Sequence, residues 1–427
     1  METKSSFKPV ADQERIKVLD ALRGFAIFGI LIINIGVFSG YSYMTVDARS
    51  QLLAADWNST FDWFHSVFFS GKFYTLFSLL FGIGFAIQFI RVAQANRPFK
   101  RHFSRRLFIL LLIGIVHLWG IWFSDILVIY AICGYILIFF ERLSNKASLW
   151  AAFFVMLIPG LHSWYLHSAD NSYTNIVYEK FSETWTEVGL PKASDEYYTF
   201  QMPDVVEVIQ SDSLNTVLTF NYIGPMLRGY IFLLDARMFK VLAIFIIGLW
   251  AGRKLMSDKL HQNNSLLVRF AIAGFIIGLP LNLFDSMNVS AGSNSAWLII
   301  AKDGLSPFGN LALTAGYSAS FMLIFQSPLR RIMTKFFSAV GKTALTNYIL
   351  QSIISIFLFY EIGLGLGKYF GSAYLTLSVI IIFLFQVLLS ILWLKRYKYG
   401  PLEWLWRMLT YGSYIKNRKN KTVTPAV

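Results

Sequence analysis

The chain has 427 residues, 56% of them hydrophobic and 17% aromatic, with only 15% charged. Soluble domains carry roughly 25% charged residues, so this composition excludes an ordinary soluble enzyme and implies an all-α polytopic membrane protein. The net charge of +14 loses its usual meaning, because Lys and Arg gathered in alternate loops report membrane orientation, and nucleic acid is excluded as a partner.

About sixteen polar residues, with Lys4, Lys8, Arg15 and Lys17, lead into an apolar run longer than a signal-peptide core, which reads as a retained first span. This run, VLDALRGFAIFGILIINIG at 18–36, holds Asp20, Arg23 and Asn34. Asp20 and Arg23 are i,i+3 neighbours, and the step from Arg23 to Asn34 falls roughly 20° from whole turns, so one stripe of the helix carries all three. Polar groups are costly in lipid and face a bundle interior or a watered cavity. The Asp20–Arg23 pair belongs to the cytoplasmic mouth of such a site, and Asn34 to its outer third.

In residues 56–89, FDWFHSVFF read as a helix sets Asp62 three residues before His65, with Lys72 recurring on the same face two turns later. A carboxylate that fixes an imidazole tautomer suits a general base at the outer membrane surface. The plainer reading is an interfacial helix anchored by its aromatics.

RVAQANRPFKRHFSRR follows, with Arg91, Arg97, Lys100, Arg101, Arg105 and Arg106. Read as a cytoplasmic loop, it would attract phosphates, including those of coenzyme A, although topology alone also accounts for it. His117 lies in the outer half of the third span, and Asp125 stands in a tight hairpin turn as a cap for the fourth. Cys133, the one cysteine, reads as a small core residue and forbids an intrachain disulfide.

Ten spans fit the hydrophobic runs: 17–38, 71–91, 106–123, 126–142, 148–165, 237–254, 266–284, 306–326, 336–360 and 374–394. They divide the chain into a five-helix half at 1–165, a loop at 166–235 and a second five-helix half at 236–427, with both termini cytoplasmic. The 166–235 loop holds ten acidic and three basic residues, and its last part, broken by Gly224 and Pro225, reads as an interfacial or re-entrant element. In the ninth span the GKT at 341–343 lacks the first glycine of a phosphate loop, Phe336 standing there. Lys342, Thr346, Asn347 and Gln351 are left as interhelical glue or cavity lining. Six scattered histidines without ligand spacing favour a metal-free mechanism.

RIKVLDALRGFAIFGILIINI, SGKFYTLFSLLFGIGFAIQ, LAIFIIGLWAGRKL, GKTALTNYILQS and YGPLEWLWRMLTYG resemble the YeiB family of bacterial membrane proteins, whose C-terminal half is a domain of unknown function. LDALRGFAIFGILIIN, followed by WN and a histidine before the second span, is also remotely similar to heparan-alpha-glucosaminide N-acetyltransferase and, more loosely, to membrane acyltransferases that O-acetylate bacterial surface sugars. The first of these resemblances implies acetyl transfer from cytosolic acetyl-CoA to a sugar on the far side, with Asn34 and His65 standing where that family has its functional Asn and His.

The resulting expectation is an acyltransferase of the bacterial cytoplasmic membrane. It would take an acyl group from acetyl-CoA or another acyl-CoA and give it to an extracytoplasmic glycan or small-molecule hydroxyl or amine. His65 oriented by Asp62 would be the base, and Asn34 with Lys72 would hold the oxyanion. Asp20, Arg23 and the six cations from Arg91 to Arg106 would hold the donor, with His117, Asp125 and the ninth-span polar residues lining the passage. The alternative is a proton-coupled transporter using the same intramembrane charges. The lipid bilayer is the one certain partner, and a homodimer stays open.

Overall fold

A computed structural model describes residues 16–95, 98–168, 173–190, 203–258, 262–287 and 296–419. Helices dominate, and among the described residues the β pairings are two isolated bridges, Leu53 with Phe370 and Tyr397 with Arg418. In chain order the helices are α1 (Lys17–Phe38), α2 (Val46–Ser50), α3 (Asn58–Phe68), α4 (Lys72–Gln94), α5 (Phe99–Gly120) and α6 (Leu127–Leu137). Then come α7 (Asn145–Ser168), α8 (Tyr173–Glu187), α9 (Pro203–Ile209), α10 (Leu214–Leu234), α11 (Arg237–Ser257) and α12 (Asn264–Ser286). The rest are α13 (Ala296–Gln326), α14 (Arg330–Met333), α15 (Ala339–Lys342), α16 (Ala344–Phe359), α17 (Ser372–Arg396) and α18 (Pro401–Tyr411).

Among the described residues, eight helical segments are long and apolar enough to cross a membrane, or nine if the bent pair α14–α15 and α16 counts as one. The protein is therefore multi-pass. Of the ten expected spans, the fourth is short, with α6 and a following 3-10 turn making one apolar helix, Leu127–Phe140. The sixth is α11, whose apolar centre is flanked by Arg237, Lys240, Arg253 and Lys254. The third begins earlier than expected. Helix α5 starts at Phe99, so Lys100, Arg101, Arg105 and Arg106 lie in its first turns and not in a loop.

The element expected to be interfacial or re-entrant is one 21-residue helix, α10, which by length and composition also qualifies as a span. Its packing runs another way. Val217, Phe220, Ile223, Leu227 and Tyr230, spread along its length, all bury into one cluster with Phe38, Tyr43, Trp122 and Phe123 at a single end of the bundle. Asn221 Nδ2 donates to the Ile121 carbonyl, and Trp119 Nε1 donates to that of Tyr222. A helix whose middle is bonded to the terminus of α5 lies across that end. We call it the loop end and the opposite one, where α5 begins, the basic end.

The two membrane halves interlock. Helix α1 packs on α4, α13, α15, α16 and α17, and α4 packs along α11. Contact between α1 and α15 is backbone to backbone: a Cβ on Gly341 would stand 1.7 Å from the Asp20 carbonyl oxygen, and one on Gly24 would stand 2.0 Å from that of Phe337. Small residues permit such approach in a medium where helices gain little hydrophobic energy from one another.

The ninth span is not the continuous helix expected over 336–360. A π turn at Thr334–Ser338 leads into α15, and the axis then bends by 82° at Thr343, whose φ of −118° and ψ of 35° leave the helical region. The bend exposes the backbone N–H groups that begin α16, and a side chain from α18 accepts them. Glu403 Oε1 takes hydrogen bonds from the Leu345 and Thr346 amides at 2.6 and 3.1 Å, and its Oε2 takes one from the Thr346 hydroxyl at 2.7 Å. A carboxylate at a helix N-terminus satisfies orphan donors and opposes the positive dipole end.

Candidate functional site

A cavity of about 890 Å³ opens at the basic end between α1, α4, α5, α6, α15, α16 and α18. Along α1 its wall runs from Ile16 through Asp20, Arg23 and Ile27 to Ile30, a depth of about 21 Å at 1.5 Å per residue. Its mouth is cationic, with Arg23, Arg91, Arg106, Lys342 and Arg407 outnumbering Asp20 and Glu403. Both acids are engaged: Asp20 accepts from Arg23 at 2.8 Å, and Glu403 caps α16. Burial pushes the Glu403 carboxyl above the ordinary glutamate range, with the hydrogen bonds from Thr346 and Leu345 working the other way. Deeper, the wall is apolar, formed by Ile27, Ile30, Phe77, Leu80, Phe81 and Leu110.

Of the expected donor-site residues, Asp20, Arg23, Arg91 and Arg106 meet at this cavity. The Arg106 guanidinium stacks 3.7 Å from the Trp406 ring, whose Nε1 donates to the Arg106 carbonyl at 2.8 Å. The others are elsewhere. Lys100 faces Glu141 at 3.6 Å, Arg105 lies against Gly412, and Arg101 is exposed, because α5 turns these positions away from the cavity. Arg97 lies outside the described residues. Sequence reasoning missed Glu403, Trp406, Arg407 and Tyr411, which line the wall from α18. The YGPLEWLWRMLTYG stretch that carries them had signalled family resemblance only.

Of the expected cavity-lining residues, Lys342 does line it. Thr346 is instead bound to Glu403, and Asn347 Nδ2 donates to the hydroxyls of Thr343 and Ser390 at 2.7 and 2.9 Å. Gln351 Nε2 donates to Gln386 and to the Ile27 carbonyl. These three are interhelical glue, bonded to α18, α17 and α1.

His117 and Asp125 do not line the cavity either, but form a buried set just beyond its inner end. His117 Nδ1 meets Asp125 Oδ2 at 2.7 Å, and His117 Nε2 meets the Ser352 hydroxyl at 2.9 Å. Asp125 Oδ1 accepts the Val128 amide at 2.8 Å, the cap expected at the start of α6. All three side chains are buried. Ser352 was not singled out in the sequence, where it is one more small polar residue in a span.

At the loop end α3 forms as expected, but Asp62 does not orient His65. Its oxygens accept from Tyr41 at 2.8 Å, Ser372 at 2.9 Å and Arg49 at 3.4 Å, while His65 Nε2 pairs with the Thr376 hydroxyl at 3.1 Å. Lys72 leaves the face of α3 because Gly71, with φ of +84°, turns the chain before α4. Its Nζ donates to the Ser66 carbonyl at 2.8 Å. Asn34 is half-buried and makes no hydrogen bond among the described residues. Phe61, whose ring centroid is 6.2 Å from His65, lines an open groove of about 410 Å³ with Trp57 and Tyr374.

No group of three or more His, Cys, Asp or Glu among the described residues is arranged to hold a metal. Cys133 is buried and unpaired in a disulfide, a core residue.

These features define a polytopic helical membrane protein with a deep, cation-rich cavity in its bundle. The chain belongs to the YeiB family. Residues 251–413 match the family described as "Protein of unknown function (DUF418)". The chain is 30% identical to the uncharacterized protein YxaH of Bacillus subtilis over 96% of its own length and 98% of that protein. It is 30% identical to the uncharacterized protein YeiB of Escherichia coli, over 93% and 96% respectively. The DUF418 match runs from the last turns of α11 nearly to the end of the described chain, so it includes both partners of the Glu403–α16 clamp.

Proposed function

We propose that the protein is a membrane acyltransferase of the bacterial cytoplasmic membrane. It takes an acyl group, acetyl in the simplest case, from acyl-CoA held in the cavity and gives it to a hydroxyl or amine of a glycan or small molecule at the loop end. The observation that carries this reading is the division of one cavity into a cationic mouth and an apolar depth. Coenzyme A has the same division, with phosphates at one end and a thin uncharged arm bearing the thioester at the other. Arg23, Arg91, Arg106 and Arg407 suit the phosphates, since guanidinium groups bind phosphate oxygens bidentately.

In the transfer, the acceptor oxygen or nitrogen attacks the thioester carbonyl carbon and its proton passes to an imidazole. The carbon–sulfur bond then breaks, the coenzyme A thiolate takes up a proton, and acylated acceptor and free coenzyme A leave. His65, beside the aromatic groove, serves acceptor activation. Asn34, one turn beyond Ile30 on the cavity face of α1, is a donor suited to the oxyanion.

Titration calorimetry of the purified protein in detergent with acetyl-CoA and longer acyl-CoAs tests the reading. One-site binding, weakened by Arg106→Gln, is expected. Absence of binding for every acyl-CoA would sink it, and uptake of a small anion into proteoliposomes without acyl transfer would favour the transporter instead.

A further inference from the structure

The buried Ser352–His117–Asp125 set has no task in that scheme, and three features of its surroundings give it one. The first is register. The cavity wall follows Phe103, Arg106 and Leu110 on α5, and Leu345 and Tyr348 on α16. His117 lies two turns past Leu110 on the same face, Ser352 lies one turn past Tyr348, and Asp125 immediately precedes the lining residue Ile126. Two helices and the turn before α6 therefore carry the cavity face onward to these three side chains, with the Tyr348 ring centroid 5.2 Å from that of His117.

The second is the order of the hydrogen bonds. Asp125 holds the Nδ1 side of the ring, and in the tautomer with the proton on Nδ1 the Nε2 lone pair faces the Ser352 hydroxyl. That is the arrangement in which a serine becomes a nucleophile. The third is a pair of donors with nothing to bind. Trp122 Nε1 is buried without a hydrogen-bond partner, its ring 6.3 Å from His117, and the buried Tyr348 hydroxyl gives its proton to no acceptor. Other buried polar atoms among the described residues are unpaired as well, and what sets these two apart is that both rings neighbour the imidazole. Donors held ready for a charge that develops only during reaction look like this at rest.

Resting on the acyltransferase reading, we propose that Ser352 is an acyl-accepting nucleophile and that transfer proceeds through an acyl-serine. Rotation of Tyr348 admits the thioester. Ser352 Oγ attacks the carbonyl carbon as its proton passes to His117 Nε2, with the Tyr348 hydroxyl and Trp122 Nε1 donating to the oxyanion. The carbon–sulfur bond breaks, the thiolate takes the proton from His117, and free coenzyme A leaves by the basic end. In the second half the acceptor's oxygen or nitrogen attacks the acyl-serine carbonyl. Its proton passes to His65, which releases it to water, the carbon–Oγ bond breaks, and Ser352 Oγ takes the equivalent proton from water by way of His117 Nε2. The relay advances the acyl group beyond the inner end of the cavity without moving the donor.

The test is exchange of isotopically labelled coenzyme A into acetyl-CoA by the full-length protein without acceptor, a reaction that needs an acyl-enzyme. Wild type should exchange, and acid-quenched protein should carry one acetyl group on the peptide containing Ser352. Ser352→Ala should lose exchange by at least about 10³-fold. Ser352→Cys, which keeps the side chain's size and a nucleophile, should carry a hydroxylamine-labile acetyl thioester, and this guards against a misfolded alanine variant. If wild type acetylates an acceptor yet neither exchanges label nor acquires the acetyl group, and Ser352→Ala turns over normally, the relay is overturned while the acyltransferase reading stands. If no acyl-CoA binds at all, both fall.

Discussion

The two ends of the bundle spend their polar residues in opposite ways. At the loop end Asp62 is held by Tyr41, Ser372 and Arg49 under a thick aromatic cluster, and Asn58 joins α3 to the start of α17 through the Ser372 amide. At the basic end cations outnumber the acids around a large opening. One end uses polarity to hold a shape, since each satisfied buried bond stabilises only modestly but is costly to break. The other gathers charge around an open cavity.

The harshest way to break this contrast is to fill the seam on which the cavity depends. Gly341→Leu forces a side chain into the Asp20 carbonyl, and no monodisperse protein is expected by fluorescence-detected size-exclusion chromatography. Gly120→Ala, where nothing lies within 4 Å, should behave as wild type in the same measurement.

Next in size is His65→Ala. Acyl transfer to the acceptor should fall by about 10²- to 10⁴-fold, while coenzyme A exchange continues. Loss of both activities together would show that the ends do not divide the labour.

Arg106→Gln and Arg23→Gln should each weaken acyl-CoA binding by about ten- to a hundredfold, the loss of one charge-assisted hydrogen bond. Arg105→Gln, on the same helix but outside the cavity, should change it by about twofold or less. Equal effects at positions 105 and 106 would mean that bulk charge, not the cavity, binds the ligand. Asp62→Asn should cost about 1–3 kcal/mol of stability with donor binding unchanged.

The smallest effect is a pH slope at Glu403. Because burial raises its folded pKa, the stability it contributes is full below the ordinary glutamate value and is lost as pH rises through the raised one. As pH rises above the ordinary glutamate value, the wild-type melting midpoint should fall relative to that of Glu403→Gln, which does not titrate. A parallel course for the two proteins would show that the clamp carboxyl does not titrate there.

Span positions were legible because twenty apolar residues are a crude and strong signal. The Asp20–Arg23 pair was legible because it is local, and so was the capping role of Asp125. What the sequence hid depends on distant partners. His117 meets Ser352 across 235 positions, and no periodicity reveals that. Asp62 and His65 sit at helical spacing, yet both turn to α17, since Ser372 and Thr376 offer better geometry than each other's edge. The bend at Thr343 was hidden for a similar reason: the residue that makes it tolerable, Glu403, lies on another helix.

That bend has a consequence for how the protein is made. Helix α18 supplies the cap of α16 and part of the cavity wall, and it is the latest of the described helices to leave the ribosome. Until it emerges, the first amides of α16 lack their acceptor and the cavity lacks a side. The membrane bundle can be inserted helix by helix, but its cavity is closed on all sides only once α18 has emerged, so a chain stopped before Pro401 would be lodged in the membrane with that wall missing.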